Sequence, residues 1–456
     1  MLNCTYIVIG AGQTGLKIAY ELANLDQKVI LVEQAEFGGT YLLSRDVPKY
    51  FLTEIAKEFS SSLRLFKENQ ETFSTLISYR RTVGKIINSK IVEYREGLLS
   101  KIINHPNIKV LKGVAEFTSK SLVEINSNSE RHLVTFNQAI IATGKNTLTT
   151  PNIKGIEHID FLHQHNVYLF EEVPSHLGII GLSIENLEIA NIYANLGVKV
   201  SIFEEKDSAS ALRNLDRSAF NYAIKQLLAK QVEFYFQTKI SSISKKNDSI
   251  LIQSTVKKFF EVSHVYTFVK ETFTDDELSL KTVGLNWTSK GVLTSPSGLT
   301  QQRNIWALGE ANNRITFNNK YSQIYDLVEK VRQTMNNDSK FLLNTTLIPL
   351  QLSGNGVDPI KAKINKIALD RPAVTIGMTE HAAITKYGRD TEIEVIDSGI
   401  IEGFAKMVLK SGSRQLVGVS LTGSFCTILE AYTINSFQNQ ESYLSYRNFI
   451  KTLLGV

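Results

Sequence analysis

The fold is decided by one stretch near the start of the chain, Tyr6-Ile7-Val8-Ile9-Gly10-Ala11-Gly12-Gln13-Thr14-Gly15. Four apolar residues run directly into three spaced glycines, a pattern typical of a buried parallel strand that turns into a helix. Gly10 permits the turn, Gly12 leaves room for a pyrophosphate against bare backbone, and Gly15 lets the helix pack closely on the sheet. The free N–H groups at the start of that helix would face the phosphates. The stretch therefore predicts a dinucleotide site.

A second strand strengthens that prediction. Val29 to Val32 is apolar and is followed by Glu33, at the position where a carboxylate accepts hydrogen bonds from an adenosine ribose. Three spaced glycines alone are a weak signal. Strand, glycines, helix, strand and acid in register are specific, and they indicate a nucleotide-binding α/β domain.

The residues that follow Glu33 resemble a known family. Gly38-Gly39-Thr40, followed by Val47-Pro48, is similar to the signature of the flavoprotein disulfide reductases, which include dihydrolipoamide dehydrogenase, glutathione reductase and mercuric reductase. In that family two cysteines stand five positions apart between these two segments. Tyr41 and Asp46 occupy their positions here. The chain therefore resembles a degenerate member that lacks the redox cysteine pair.

The resemblance extends over nearly the whole chain. It implies an α/β protein with two Rossmann-like domains, of the FAD and NAD(P) types, and a C-terminal α+β dimerisation domain. The expected boundaries are 1–152 and 271–336 for the two parts of the FAD domain, 153–270 for the NAD(P)-like domain and 337–456 for the last. The role of the segment 341–365, which fits the family pattern poorly, stays open.

FAD is the cofactor that the resemblance implies. Two later segments match the flavin domain: Ala142-Thr143-Gly144 ends a strand, and Gly309-Glu310 stands where the family has Gly-Asp, whose carboxylate binds a ribityl hydroxyl. The residues expected to bind FAD are Gly10, Gly12, Gln13, Thr14, Gly15, Glu33, Gly39, Thr40, Ala142, Thr143, Gly144, Gly309 and Glu310.

The second nucleotide site has lost part of its pattern. Where the family has three glycines, this chain has Gly181, Ser183 and Asn186, although Val200 to Glu204 again reads as a strand that ends in an acid. A side chain at Ser183 would occupy the space of a pyrophosphate, and Asn186 would push the helix away from the strand. Whether NADH or NADPH binds here stays open.

The chemistry of disulfide reduction is missing from the sequence. A thiolate is the required nucleophile, and neither a phenol nor a carboxylate replaces it. The family's C-terminal His-Glu pair is also absent, because no histidine follows His381. We therefore predict no disulfide reductase activity. Tyr41 and Asp46 are expected to start one helix that lies against a flavin. They are either candidate catalytic residues there, through stacking and proton transfer, or tolerated fillers of a disused site.

Composition and charge limit the classes of function that the chain can have. The 456 residues carry a formal charge of +5, too mild to suggest nucleic-acid binding. No apolar run reaches the roughly 20 residues of a membrane helix, and the early strand leaves no room for a signal peptide, so we expect a cytoplasmic protein. Cys4 and Cys426 have no redox spacing, and His163 and His165 are expected to be surface loop residues without a third metal ligand.

Three functional hypotheses remain. The first is an FAD-binding homodimer that is redox-active but not a disulfide reductase, with an unidentified electron donor and acceptor. The second is a non-catalytic relative that serves as a binding or scaffold protein. The third is an NAD(P)H-dependent reductase with an atypical active site.

Overall fold

The computed structural model describes residues 1–65, 82–127, 130–208, 210–275, 277–314, 322–334, 364–397, 402–438 and 442–454. The boundary expected near residue 337 and nearly all of the segment 341–365 lie outside the described residues. Within the described ranges, no helix is both long and apolar enough to cross a membrane.

The first helix lies between two strands, three further helices follow in succession, and strands predominate in the rest of the chain. The α-helices are α1 (Gln13–Asn24), α2 (Gly39–Leu43), α3 (Asp46–Leu65), α4 (Val83–Ile103), α5 (Ile184–Asn195), α6 (Arg217–Ala229), α7 (Ser322–Thr334), α8 (Glu380–Tyr387), α9 (Cys426–Gln438) and α10 (Tyr443–Leu454). The strands are β1 (Leu2–Ile9), β2 (Val29–Glu33), β3 (Ile108–Lys112), β4 (Val114–Ser119), β5 (Leu122–Asn126), β6 (Arg131–Ile141), β7 (Thr147–Thr149), β8 (His176–Ile180), β9 (Lys199–Phe203), β10 (Glu233–Tyr235), β11 (Ile240–Lys246), β12 (Ser249–Ser254), β13 (Phe259–Val262), β14 (His264–Thr267), β15 (Lys270–Thr272), β16 (Trp287–Thr288), β17 (Gly291–Val292), β18 (Ile305–Ala307), β19 (Ile364–Ile367), β20 (Ala373–Gly377), β21 (Thr391–Asp397), β22 (Phe404–Lys410) and β23 (Gln415–Thr422).

The first sheet is parallel in the order β3-β2-β1-β6-β18, and β5 and β4 extend it antiparallel from β6. Alternate residues of β1 enter two different cores: Tyr6 and Val8 pack with α1 and α7, whereas Ile7 and Ile9 pack on the opposite face. Burial on both faces explains why this strand is a continuous apolar run. The register pairs Ile9 with Val32 and Ile141, so three strand ends meet at one edge.

The second sheet repeats the parallel arrangement in the order β10-β9-β8-β14, and α5 follows β8 as α1 follows β1. An antiparallel sheet, β11-β12-β13, packs beside it. The third large sheet is antiparallel throughout, in the order β19-β20-β23-β22-β21, with α9 and α10 against its core. The predicted α/β class with two Rossmann-like domains and a C-terminal α+β unit is confirmed.

A buried ion cluster joins the second and third sheets. Lys406 on β22 contacts the carboxylate of Asp216 at 2.8 Å and that of Glu380 at 2.5 Å. The Lys406 and Asp216 side chains are 6% and 0% exposed, and Asp216 also caps α6. Because a buried charge without its partner is costly, this contact fixes how the C-terminal unit is seated.

The tight turn after β1 gives a stability prediction. A Cβ on Gly15 would lie 1.8 Å from the carbonyl oxygen of Gly10, so Gly15→Ala forces α1 away from the sheet. We expect it to lower the free energy of unfolding by about 3 kcal/mol or more. Urea denaturation followed by circular dichroism measures this.

Gly97→Ala is the matched control. Gly97 lies inside α4, and a Cβ there meets no atom within 4 Å, so alanine should stabilise the protein by about 0.5–1 kcal/mol. Equal unfolding midpoints for the two variants would contradict the packing described for Gly15.

Candidate functional site

A cavity of about 700 Å³ opens at the edge where β1, β2 and β6 end. Ligands of doubly wound α/β domains bind outside the carboxyl ends of the strands, so the location is the expected one. Most of the sequence-predicted residues line this cavity: Gly10, Gly12, Gln13, Thr14, Glu33, Gly39, Thr40, Ala142, Thr143, Gly144 and Glu310, together with Tyr41 and Asp46.

Gly15 and Gly309 are the two predicted residues that do not line the cavity. Both pack instead against residues that line it, Gly10 and Thr14. Gly15 seats α1 on the turn at Gly10, and Gly309, with φ +63°, lies against Thr14, where a Cβ would come within 2.4 Å of the Thr14 hydroxyl. Their small size therefore serves backbone packing.

Glu33 is fixed at the end of β2 by two backbone donors. The Ala11 N–H donates to Oε2 at 2.7 Å and the Ala35 N–H donates to Oε1 at 2.9 Å. The carboxylate lines the cavity with lone pairs to spare, because each oxygen accepts more than one hydrogen bond. This is the environment that a ribose-binding acid requires.

Gly12 tests whether the cavity suits a pyrophosphate. Its φ of −75° is open to any residue, and a Cβ would approach one protein atom, the Cα of Gly39, at an ordinary 4.0 Å. Neither backbone strain nor a close protein contact requires glycine there. Since Gly12 lines the cavity at the N-terminus of α1, the missing side chain leaves room for a ligand against bare N–H groups.

Tyr41 and Asp46 lie on two different helices. The sequence analysis placed them at the start of one helix, and this is wrong: Tyr41 belongs to the short helix α2, and Asp46 begins α3 after a break at Ser44 and Arg45. Helix α2 has only five residues and ends at Ser44, because the backbone of Ser44 is not helical. Tyr41 is buried and Asp46 is exposed, and both residues line the cavity.

The second nucleotide site keeps an acid at the end of its strand, and side chains cap the start of its helix. Glu204 accepts the Leu182 N–H at 2.7 Å and the Lys206 N–H at 2.8 Å, as Glu33 does in the first site. Ser183 caps α5 by accepting the Asn186 N–H at 3.0 Å, and the Asn186 amide donates to the Gly181 carbonyl at 2.8 Å. One N–H donor at the start of α5 is thus satisfied by the chain itself, whereas the start of α1 has no side-chain cap.

Comparisons with known proteins agree with this geometry. The sequence profile described as pyridine nucleotide-disulphide oxidoreductase matches residues 4–331. The chain belongs to this family. The family that the sequence motifs predicted is therefore confirmed.

Individual members of the family match at low identity. The dihydrolipoyl dehydrogenase of Bacillus subtilis (strain 168) is 27% identical over 311 residues, which are 67% of this chain but 64% of that protein. The dihydrolipoyl dehydrogenase of Buchnera aphidicola subsp. Baizongia pistaciae (strain Bp) is 22% identical over a match that covers 92% of this chain and 86% of that protein. The solved HOCl-induced flavoprotein disulfide reductase RclA from Escherichia coli superposes with a TM-score of 0.76 at 20% identity, over 96% of this chain and 94% of that one, and so shares the fold.

A charged cluster that the sequence analysis missed lies in the wall of this family member's cavity. Glu271, on β15, lines the cavity and accepts hydrogen bonds from His165 at 2.9 Å and Gln164 at 3.0 Å, with the Arg45 guanidinium 3.6 Å away. Burial favours the neutral acid, but these donors outweigh it and lower the pKa of Glu271 to about 2. His165 lies in a turn, as expected of a loop residue, but its side chain is only 17% exposed and is thus mostly covered.

A second ion pair joins α3 and α5. Lys49 pairs with Glu188, which also accepts the backbone N–H of Ala368 at 2.7 Å. The pair thereby connects the first sheet's helices to the second and third sheets. Periodicity predicts both helices but not which charged residues meet between them, since that depends on how the sheets are placed.

Both cysteines of this family member are free and buried. Burial raises the pKa of both Cys4 and Cys426 to about 12. Among the described residues, no group of three His, Cys, Asp or Glu side chains is placed to hold a metal.

Thiol labelling tests this directly. At a pKa of about 12, roughly one thiol in ten thousand is ionised at pH 8, and the thiolate is the reactive form. We expect both thiols to resist an aromatic disulfide reagent in the native protein and to react fully in denaturant. A thiol that reacts within minutes in the folded protein would contradict the burial described here.

Proposed function

We propose that this protein is an FAD-binding oxidoreductase that does not reduce disulfides. The observation that carries the proposal is the cavity, where the predicted pyrophosphate, ribose and ribityl partners converge while Tyr41 and Asp46 replace both thiols. Its relatives named dihydrolipoyl dehydrogenase and flavoprotein disulfide reductase support the cofactor. The match to the first relative spans 64% of that protein's length, so its activity is not carried over.

Each part of the cavity has a role in holding the cofactor. Glu33, already ordered by two N–H donors, would accept the adenosine ribose hydroxyls. The N-terminus of α1 beside Gly12 would bind the pyrophosphate. Glu310 would accept a ribityl hydroxyl. The bound flavin supplies electron transfer, which no side chain of this chain provides.

Tyr41 and Asp46 are the candidate catalytic residues. Tyr41 is buried in the wall and has the flat ring needed to stack on a flavin. Asp46 is exposed at the N-terminus of α3, where water can reach its carboxyl group. We propose that Tyr41 positions the ring and Asp46 exchanges protons with solvent.

The self-capped second site favours a donor other than NADH or NADPH. The same observation supports a second candidate function, a non-catalytic protein of this fold in which FAD is structural and a partner binds the surface. We also propose a cytoplasmic homodimer that associates through residues 337–456, since the third sheet and its helices lie outside both nucleotide sites.

Gly12→Ala separates cofactor binding from folding. Because its backbone and protein contacts tolerate a methyl group, we expect an unfolding midpoint for the apoprotein close to that of the unaltered chain. The methyl group would displace at least one charged hydrogen bond to phosphate, so FAD should bind about tenfold more weakly or worse. Fluorescence titration of the apoprotein with FAD measures the affinity.

The control is Gly97→Ala, which does not line the cavity and should leave FAD affinity unchanged. If Gly12→Ala bound FAD as tightly as the unaltered chain, the pyrophosphate would not lie at α1 and the proposed mode of binding would fail.

Anaerobic reduction tests the electron donor. The purified protein with FAD should bleach with dithionite but not with NADH or NADPH at equal concentration, because Ser183 and Asn186 occupy the phosphate end of the second site. Lipoamide and glutathione disulfide should not be turned over. Rapid bleaching by either nicotinamide would overturn the proposed donor specificity, and any disulfide turnover would overturn the proposed function.

A further inference from the structure

We propose that the turn between β12 and β13 is a docking tip for a membrane surface rich in anionic lipid. The docking tip comprises residues 255–259, Thr255-Val256-Lys257-Lys258-Phe259, all of which are exposed. None of them lines the cavity described above, and none belongs to the segment 337–456. The inference therefore goes beyond the proposed function and does not depend on it.

The docking tip exposes two large apolar side chains. Val256 is 64% exposed and Phe259 is 58% exposed, and among the described residues no other two exposed large apolar side chains lie so close in sequence. Phe259 begins β13, and the next residue, Phe260, packs against the ring of Phe203 with ring centroids 4.7 Å apart. Because side chains alternate between the two faces of a strand, Phe259 lies on the face of the sheet that points away from this core.

The lysines of the docking tip carry charge that the chain does not neutralise. Lys257 and Lys258 are exposed, and neither forms an ion pair with any residue that the structure describes. By contrast, Lys246 at the other end of the sheet pairs with Glu261 at 2.8 Å. The segment 239–261 contains five lysines and two acids, so it holds a net +3 of the formal +5 of the whole chain. An unpaired positive tip is complementary in charge to a surface of anionic lipid.

Hydrogen bonds hold the docking tip in one shape. The carbonyl of Ser254 accepts the Lys257 N–H at 3.0 Å, and its Oγ accepts the Lys258 N–H at 3.1 Å. The Ser254 N–H in turn donates to the Lys258 carbonyl at 2.9 Å, and the Thr255 N–H donates to the Lys239 carbonyl at 2.9 Å, just before β11. Because the backbone is ordered before any contact forms, docking costs little conformational entropy.

Apolar and basic side chains in one turn suit the boundary between lipid headgroups and acyl chains. At this boundary an apolar side chain leaves water, while a lysine extends its ammonium group to the lipid phosphates. A nucleic acid duplex would attract the two lysines through its phosphates but offers no apolar layer for Val256 and Phe259. The combination therefore favours a lipid surface over other polyanions.

The experiment is co-sedimentation of the full chain with sucrose-loaded vesicles. One set of vesicles contains phosphatidylcholine alone, and the other contains equal parts of phosphatidylcholine and phosphatidylglycerol. We expect the protein to bind the mixed vesicles and to be released as the salt concentration rises, because salt screens the lysines from the anionic lipid. Binding to phosphatidylcholine alone should be much weaker.

Two variants each remove one contribution of the docking tip. Lys257→Gly suits the turn, because Lys257 has φ +60°, which glycine adopts readily. The loss of one charge should weaken binding to the mixed vesicles about fivefold. Phe259→Thr keeps a residue type that favours strands, and the loss of its apolar surface should weaken binding about tenfold. Circular dichroism should show both variants folded like the unaltered chain.

Lys245→Gln and Leu228→Gln are the matched controls. Lys245 is exposed near the other end of the same sheet and forms no ion pair with any described residue, and Leu228, on α6, is 55% exposed. Both variants should bind the mixed vesicles like the unaltered chain.

Three results would overturn the inference. They are unchanged vesicle binding in Lys257→Gly and Phe259→Thr, an equal loss of binding in Lys245→Gln, and retention on duplex DNA or heparin without binding to either kind of vesicle. None of these measurements uses the flavin. A protein that binds the mixed vesicles but takes up no FAD would therefore overturn the proposed function alone.

Discussion

The structure depends on the close approach of three backbone segments at the carboxyl end of β1. Gly10 turns the chain out of the strand with φ +100°, and a Cβ there would lie 2.6 Å from the Ala142 carbonyl oxygen. On its other side, the Gly10 carbonyl leaves no room for a side chain at Gly15. Strand, turn and helix are thus pressed together without side chains between them. The N-terminus of α1 lines the cavity at this point, and most of the other residues proposed to bind the cofactor line the same cavity.

The two nucleotide sites show what this constraint does and does not require. Both keep the turn glycine, and both fix an acid with two backbone N–H donors, at Glu33 and Glu204. They differ at the helix terminus, which is bare at Gly12 and capped by Ser183 and Asn186 in the second site. The second Rossmann-like unit therefore keeps its fold with a side-chain cap at this helix terminus, where Ser183 satisfies the Asn186 N–H.

The sequence predicted the local features and missed the long-range ones. An apolar run predicts strand β1, the glycine spacing predicts helix α1, and the acid at the end of the next strand is Glu33. Each of these signals lies within a short stretch of consecutive residues. The break between Tyr41 and Asp46 was missed because helical periodicity continues through it. The ring of His165 meets Glu271 from 106 residues away, and such pairings depend on how whole sheets are placed. The contact that covers His165 could not be predicted from the sequence for the same reason.

In the proposed function the cavity has a cofactor-binding part and a reaction part. Gly12 and Glu33 line the first, where the resemblance to the family places FAD. Tyr41 and Asp46, at the positions of the family's cysteines, line the second together with Glu271. The most direct measurement is an experimental structure of the protein purified with FAD. We predict adenosine ribose hydroxyls on Glu33, pyrophosphate at Gly12 and the flavin ring beside Tyr41. A cavity without FAD, or FAD bound with its pyrophosphate away from Gly12, would contradict the account.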